Sequence, residues 1–117
     1  MKILIVQDCI KERLDVFKCI FRQKSVSVDV WVRGQHEFAK SATAYDLIYI
    51  MGSNASVLYP DRHAWVKEEQ ILIQSIIKNK VPCVGICFGA QHLAKTLGAE
   101  IGSYAHTQIS VDEIKVV

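Results

Sequence analysis

The sequence predicts an α/β domain with a doubly wound, mostly parallel sheet flanked by helices. Short apolar runs, typical of strands that are buried on both faces, alternate along the chain with amphipathic helical patterns. Neither a repeat nor a linker interrupts this alternation over the 117 residues. We therefore expect residues 1–117 to form a single domain.

The strands are predicted from two kinds of apolar pattern. Ile3, Leu4, Ile5 and Val6 follow one another without a polar residue, whereas valine alternates with other residues from position 26 to position 32. The predicted strands are Lys2–Gln7, Val26–Val32, Asp46–Met51 and Pro82–Ile86. The tail Ile109–Val117 is also strand-like, and we expect it to be paired, within this chain or with another chain, because an unpaired edge strand favours aggregation.

Three segments have helical spacing of their apolar residues, namely Ile10–Phe21, Asp61–Lys80 and Phe88–Leu97. Pro82 follows the second helix, and Gly98 stops the third. Glu68 and Glu69 lie in the second helix, where adjacent positions point about 100° apart. We therefore interpret them as part of a solvated face rather than as a catalytic carboxylate pair.

Composition excludes several classes of protein. The formal net charge of +2 is too small to indicate nucleic-acid binding, and no apolar run reaches the length of a membrane span. The N-terminus lacks the features of a signal peptide, so we expect a cytoplasmic protein with free thiols. The cysteines lack zinc-site spacing, and no nucleotide or metal motif occurs, so we predict neither cofactor nor metal.

The segment Gly-Ile-Cys-Phe-Gly, residues 85–89, has the form of a nucleophile elbow with cysteine as the nucleophile. In such an elbow Gly85 and Gly89 leave room for a sharp turn between strand and helix. Cys87 would then lie at a helix N-terminus, where the partial positive charge favours a thiolate. The backbone N–H of Phe88 would point to where an oxyanion forms.

The segment VGICFGAQHLAKTLGAEI resembles the signature of class I glutamine amidotransferases, which is close to G-[IV]-C-x-G-x-Q. The sequence is similar to the amidotransferase domain of GMP-synthase type over Asp46–Ile101, and over Met1–Tyr45 in architecture alone. The resemblance implies a flavodoxin-like layer that is the N-terminal portion of such a domain, incomplete at its C-terminus.

The resemblance also implies a role for each matching residue. Cys87 would attack the side-chain amide of L-glutamine, form a γ-glutamyl thioester and release ammonia to a synthase or another acceptor partner. Phe88 and the loop at Gly52–Ser53 would supply the oxyanion donors, and Gly52 and Gln91 would help to bind glutamine. The family usually has Gly-Gly-Pro at the loop, so Ser53 would be strained if that position needs a positive φ.

The base of the triad is missing from the sequence. The family supplies it as His-x-Glu, yet no histidine of this chain has glutamate two positions later. We expect His92 to point away from the thiol and His106 to lie on a loop, and we assign His36 and His63 no catalytic role. The resemblance therefore implies that a partner chain or a missing C-terminal half completes the sheet and the triad.

Three alternatives stay open at this point. The same cysteine could serve a γ-glutamyl hydrolase or peptidase, or the fold could be a non-catalytic module that binds a metabolite or a protein. A redox-active cysteine protein is a third alternative, but it lacks a resolving thiol because we expect Cys83 to be buried. We interpret Cys9, which follows the first strand, as structural.

Overall fold

The computed structural model describes residues 1–8, 19, 21, 25–35, 41–107 and 109–116. These residues form one parallel sheet in the order β2-β1-β3-β4. Its strands are β1 (Lys2–Gln7), β2 (Ser27–Val32), β3 (Leu47–Ile50) and β4 (Cys83–Gly85). The described helices are α1 (Ala64–Asn79), α2 (Phe88–Thr96) and two short 3₁₀ turns, Ala42–Ala44 and Pro60–Arg62. The predicted α/β class, a parallel sheet flanked by helices, is confirmed.

The side chains of β1 divide between two cores because successive residues of a strand point to opposite faces. Leu4 and Val6 pack in a cluster that also contains Leu72, Ile73 and Ile76 of α1. On the opposite face, Ile3 and Ile5 pack against a second set of apolar residues: Phe21, Val26, Val28, Leu47, Tyr49 and Met51. Both faces of β1 are therefore covered, as its unbroken apolar run predicts.

The helix α1 begins three residues later than the sequence predicts, because Pro60–Arg62 forms a separate 3₁₀ turn and His63 is extended. The helix ends where Lys80 takes a left-handed conformation with φ 54°. The N–H of Lys80 donates to the carbonyls of Ile76 and Ile77, which satisfies acceptors at the helix end.

The predicted C-terminal strand does not form within the described residues of this chain, whereas its pairing with another chain stays a prediction. Residues 109–116 belong to no strand, and the side chains of Ile109, Val111, Ile114 and Val116 are at least 88% exposed. Alternating apolar residues provide strand propensity, but a strand forms only where a partner edge pairs with it. The helix predicted over Ile10–Phe21 lies mostly outside the described residues, as do Cys9 and His36.

The strand order creates a switch point between β1 and β3. From β1 the chain crosses to β2 on one side, and from β2 it returns past β1 to β3 on the other. In open α/β sheets, ligands bind at the carboxyl ends of strands beside such a point. Asp8, the loop that begins after β3, and the turn after β4 all lie at this carboxyl edge.

None of the helices formed by the described residues combines the length and the apolar character that a membrane span requires.

Candidate functional site

A sharp turn joins β4 to α2 and carries Cys87. This residue has φ 54° and ψ −113°, and it directly precedes the first helical residue, Phe88. A positive φ costs a non-glycine residue about 1–3 kcal/mol and persists only where the surrounding structure enforces it. Here the N–H of Ile86 donates to the carbonyl of Ile50 (2.9 Å), which ties the turn to β3. The thiol of Cys87 is exposed at the carboxyl edge of the sheet.

The glycines on either side of Cys87 have no room for a side chain. A Cβ atom on Gly85 would lie 2.7 Å from the backbone nitrogen of Ala90. A Cβ atom on Gly89 would lie 2.0 Å from the carbonyl oxygen of Ile50, well inside van der Waals contact. The elbow therefore depends on glycine at both positions because α2 packs directly against β3 and β4.

The loop after β3 approaches the elbow at Gly52. A Cβ atom on Gly52 would lie 3.5 Å from the Cβ of Cys87. The next residue, Ser53, accepts a hydrogen bond at its Oγ from the N–H of Ala55 (3.0 Å). Among the described non-glycine residues only Lys80 and Cys87 have a positive φ. Ser53 therefore does not have the strained conformation that a serine would adopt if this position needed a positive φ.

The far part of this loop is fastened to the elbow helix. The ammonium group of Lys95 donates to the carbonyl of Val57. Val57 is buried with Val66 and Phe88 in a small core cluster. Beside the loop is a cleft of about 310 Å³, a size suited to a small metabolite. The residues that line it are Asp8, Arg33, Ser53, Asn54, Ala55, His63 and Trp65.

Phe88 belongs to the core through its side chain and to the elbow through its backbone. Its ring is fully buried and contacts those of Trp65 and His92, with centroid distances of 5.5 and 5.3 Å. As the first helical residue, it has an N–H group without an acceptor inside the helix. Gln91 is exposed one turn further on, and its N–H donates to the carbonyl of Cys87 (3.1 Å).

Sequence reasoning missed a buried charge network beneath this edge. The solvated face predicted for Glu68–Glu69 is correct for Glu68 but wrong for Glu69, which is fully buried. Its carboxylate accepts hydrogen bonds from Nε of Arg33 (2.7 Å) and Nδ1 of His92 (2.8 Å), and these partners compensate its burial. The available signal was helical spacing, because Glu69 lies four residues after Trp65 on the apolar stripe of α1.

The described histidines do not reach the thiol. His92 is buried and bonds to Glu69, which agrees with the expectation that it points away from Cys87. His63 is exposed and stacks on Trp65 at 5.6 Å between ring centroids. His106 is exposed and lines a separate cavity near the tail. Within the described residues, no histidine forms a hydrogen bond with Cys87.

Cys83 is in a different environment from Cys87. Burial raises the pKa of its thiol to about 11, and the nearby Glu69 carboxylate adds to the rise. The thiol of Cys83 is therefore protonated at neutral pH, whereas that of Cys87 is accessible to solvent.

These observations define a class: an α/β domain with a cysteine held in a strained strand-to-helix elbow at the carboxyl edge of a parallel sheet. Comparison with known proteins gives the family. The family model described as Glutamine amidotransferase class-I matches residues 6–116, nearly the whole sequence. The chain therefore belongs to the class I glutamine amidotransferase family.

Solved structures agree with this assignment. A glutamine amidotransferase from Thermotoga maritima has a TM-score of 0.77 and 29% identity, with 84% of this chain and 43% of that chain covered. The protein SMU.1228c, at 24% identity and a TM-score of 0.67, shares the fold, with 86% of this chain and 44% of that chain covered. The chain thus spans less than half the length of either structure. No curated protein sequence matches it significantly.

Proposed function

We propose that the chain carries the nucleophilic half of a glutaminase site, with Cys87 as the nucleophile. The observation that carries this proposal is that Cys87, at the N-terminus of α2, combines a strained backbone with exposure to solvent. A helix N-terminus stabilises negative charge, which suits it to the oxyanion that forms in acyl transfer. The family assignment supports glutamine as the substrate.

The proposed reaction proceeds through a thioester. The sulfur of Cys87 attacks the side-chain amide carbon of glutamine, and the resulting oxyanion accepts hydrogen bonds from backbone N–H groups of Phe88 and Ser53. The carbon–nitrogen bond then breaks, and the nitrogen leaves as ammonia after taking a proton. Water hydrolyses the γ-glutamyl thioester to glutamate and regenerates the thiol. Gly52 and Gln91, which border Cys87, would hold the substrate.

We propose that the histidine and glutamate of the triad come from outside these 117 residues. No histidine in the sequence is followed two positions later by glutamate, and His92 is committed to Glu69. A further segment of the same protein or a partner chain would supply the base, and a synthase would accept the ammonia. We also propose a cytoplasmic location for this chemistry.

The test compares two exposed thiols of the same molecule. The 117-residue chain is treated with 6-diazo-5-oxo-L-norleucine, a glutamine-like electrophile, and modified residues are mapped by mass spectrometry. We expect modification of Cys87 and not of Cys19, and protection by L-glutamine, while iodoacetamide modifies both. Cys87→Ser abolishes the modification, and the control Cys19→Ser leaves it intact.

Two results would contradict parts of the proposal. Equal modification of Cys19 and Cys87, or modification of Cys87 that L-glutamine does not slow, excludes glutamine recognition at Cys87 and favours a non-catalytic binding module. Ammonia release from glutamine by this chain alone, well above the rate of the Cys87→Ser variant, excludes the need for an external base.

A further inference from the structure

Arg33 occupies an unusual place for a charged residue. It follows β2 directly, and its side chain is only 1% exposed. Each of the three nitrogens of its guanidinium group donates to at least one acceptor within hydrogen-bond distance. These acceptors are Glu69 Oε2 (2.7 Å), Asp8 Oδ1 (2.7 Å), the Gly52 carbonyl (2.8 Å) and the Met51 carbonyl (2.9 Å).

Two of these contacts act on the loop that faces the nucleophile. NH1 binds the carbonyl of Gly52 and NH2 that of Met51, so one planar group fixes two successive peptide units. Gly52 is the residue whose Cβ position lies 3.5 Å from the Cβ of Cys87. The carbonyl of Gly52 and the N–H of Ser53 belong to the same planar peptide unit and point in opposite directions. The hydrogen bond from Arg33 to the Gly52 carbonyl therefore fixes the direction of the Ser53 N–H as well.

The same guanidinium also contacts the elbow. Its central carbon lies 5.1 Å from the ring centroid of Phe88 and 4.9 Å from that of Trp65. Cation–π contacts of a desolvated arginine are attractive. The buried ring belongs to Phe88, the first residue of α2. Arg33 thus touches both walls of the proposed oxyanion site, the loop by hydrogen bonds and the elbow by its ring contact.

On the interior side, the positive charge of Arg33 is balanced by Glu69, which His92 also binds. Glu69 accepts from Arg33 with one oxygen and from His92 with the other, so the carboxylate is locked between β2 and α2. Asp8 supplies the second negative charge from the end of β1. A lysine ammonium could balance charge here, but it lacks the planar fork that reaches two carbonyls and two carboxylates at once.

We propose that Arg33 is a positioning residue that sets the Gly52–Ser53 loop against the Cys87 elbow. The catalytic consequence of this role rests on the proposed glutaminase function. Its structural consequence rests on the contacts described above. Arg33 does not touch the reacting atoms. It acts through the peptide units of Met51 and Gly52.

The test uses the full 117-residue chain and the variant Arg33→Lys, with Arg62→Lys as the matched control on the exposed surface. The first readout is the rate of Cys87 modification by 6-diazo-5-oxo-L-norleucine divided by its rate with iodoacetamide. Both reagents carry a carbonyl, but only the first is a glutamine analogue, whose carbonyl we expect to fit between loop and elbow. We expect Arg33→Lys to lower this ratio about 10- to 100-fold, since misplacement by 1 Å can cost that much.

The second readout is amide hydrogen exchange at residues 52–55, compared with exchange in α1. We expect Arg33→Lys to accelerate loop exchange about tenfold relative to α1, and Arg62→Lys to change neither readout. An unchanged ratio and unchanged loop exchange in a folded Arg33→Lys protein would overturn the proposal. Should Arg33→Lys not fold, Asp8→Asn decides in the same way, with a smaller expected loss of about 3- to 10-fold.

The two proposals fail differently in this experiment. Modification of Cys87 in the unsubstituted chain that is no more selective than that of Cys19, or that L-glutamine does not slow, refutes the glutaminase function. Loop exchange still decides whether Arg33 positions the loop, because that readout needs no substrate.

Discussion

At the scale of single residues, the two cysteines of the strand–turn segment illustrate how position sets thiol chemistry. Cys83 and Cys87 are four residues apart, yet burial and Glu69 raise the pKa of Cys83 to about 11 while Cys87 is exposed. At pH 8 a thiol with that pKa is about one part in 1,000 thiolate.

We therefore predict a steep pH dependence for alkylation of Cys83. With iodoacetamide, its rate should rise about tenfold per pH unit from pH 8 until it levels off near 11. The folded state also retains this proton above pH 9.0, which is the pKa of the unperturbed thiol. The free energy of unfolding that neutral Cys83 contributes is therefore lost as the pH rises from 9.0 to about 11. A Cys83 rate equal to that of Cys87 at pH 8 would contradict this, and peptide mapping over a pH series measures both.

Gly89 gives a second prediction at this scale. Helix propensity alone favours alanine over glycine in α2 by about 1 kcal/mol. The clash with the backbone of Ile50, at 2.0 Å, opposes it and should dominate because a backbone atom cannot rotate away. We expect Gly89→Ala to lower the free energy of unfolding by about 3 kcal/mol in urea titrations.

The matched control for this substitution is Gly102→Ala. Gly102 has no atom within 4 Å of its Cβ position and no positive φ, so the change should stay within about 0.5 kcal/mol. A Gly89→Ala protein as stable as Gly102→Ala would show that α2 does not pack as closely on β3 as described.

At the scale of elements, helix α1 carries two neighbouring glutamates with opposite surroundings. Glu68 is exposed, whereas Glu69 is buried between Arg33 and His92. Removing one partner from a buried ion pair costs about 3–5 kcal/mol, whereas removing an exposed charge costs little.

We predict that Glu69→Gln lowers the free energy of unfolding by about 3 kcal/mol, the lower end of this range, because glutamine keeps the shape and one acceptor. Glu68→Gln should change it by less than about 0.5 kcal/mol. Chemical denaturation of both variants gives the comparison, and equal effects would mean that Glu69 is not enclosed as the contacts indicate.

The same helix shows what sequence could and could not predict. Periodicity predicted α1 and its apolar face, because packing against a sheet demands an apolar stripe. It did not predict Glu69, since a buried carboxylate depends on Arg33 and His92, which are distant in sequence and adjacent only after folding. The strand predicted for the tail does not form in this chain for a related reason: strand formation depends on a partner edge that the local pattern does not specify.

For the site, the short-range features were predictable and the long-range ones were not. The pattern from Gly85 to Gly89 predicted a sharp turn, because its steric demands lie within five consecutive residues. That Gly52 and Cys87 share one edge follows from the predicted parallel sheet, because both come after the carboxyl end of a strand. Arg33 gave no signal, since a polar segment after a strand is ordinarily interpreted as an exposed loop.

At the scale of the whole molecule, buried contacts are distributed unevenly along the described residues. The sheet, α1 and α2 share buried clusters, whereas the described residues from 103 to 116 are exposed and form no strand or helix. Exposed segments with few contacts are preferred sites of proteolytic cleavage.

We predict that thermolysin, which cuts before apolar residues, cleaves first at Ile109, Val111 and Ile114 among the sites from residue 64 onwards. Sites in α1 such as Ile73, which is fully buried, should be cut at least 100-fold more slowly, because they require unfolding. Timed digestion with mass spectrometry measures both rates. Comparable rates would contradict the difference in packing between the tail and α1.

The elbow also indicates which of its residues would change if selection for activity were relaxed. Gly85, Phe88 and Gly89 are required by packing, so a descendant that had lost all activity would still retain them. Position 87 is the opposite: its side chain is exposed, and its positive φ favours glycine over any other residue. Without selection for a thiol, glycine would be the more stable occupant, so the cysteine at this position is the part of the motif most informative about chemistry.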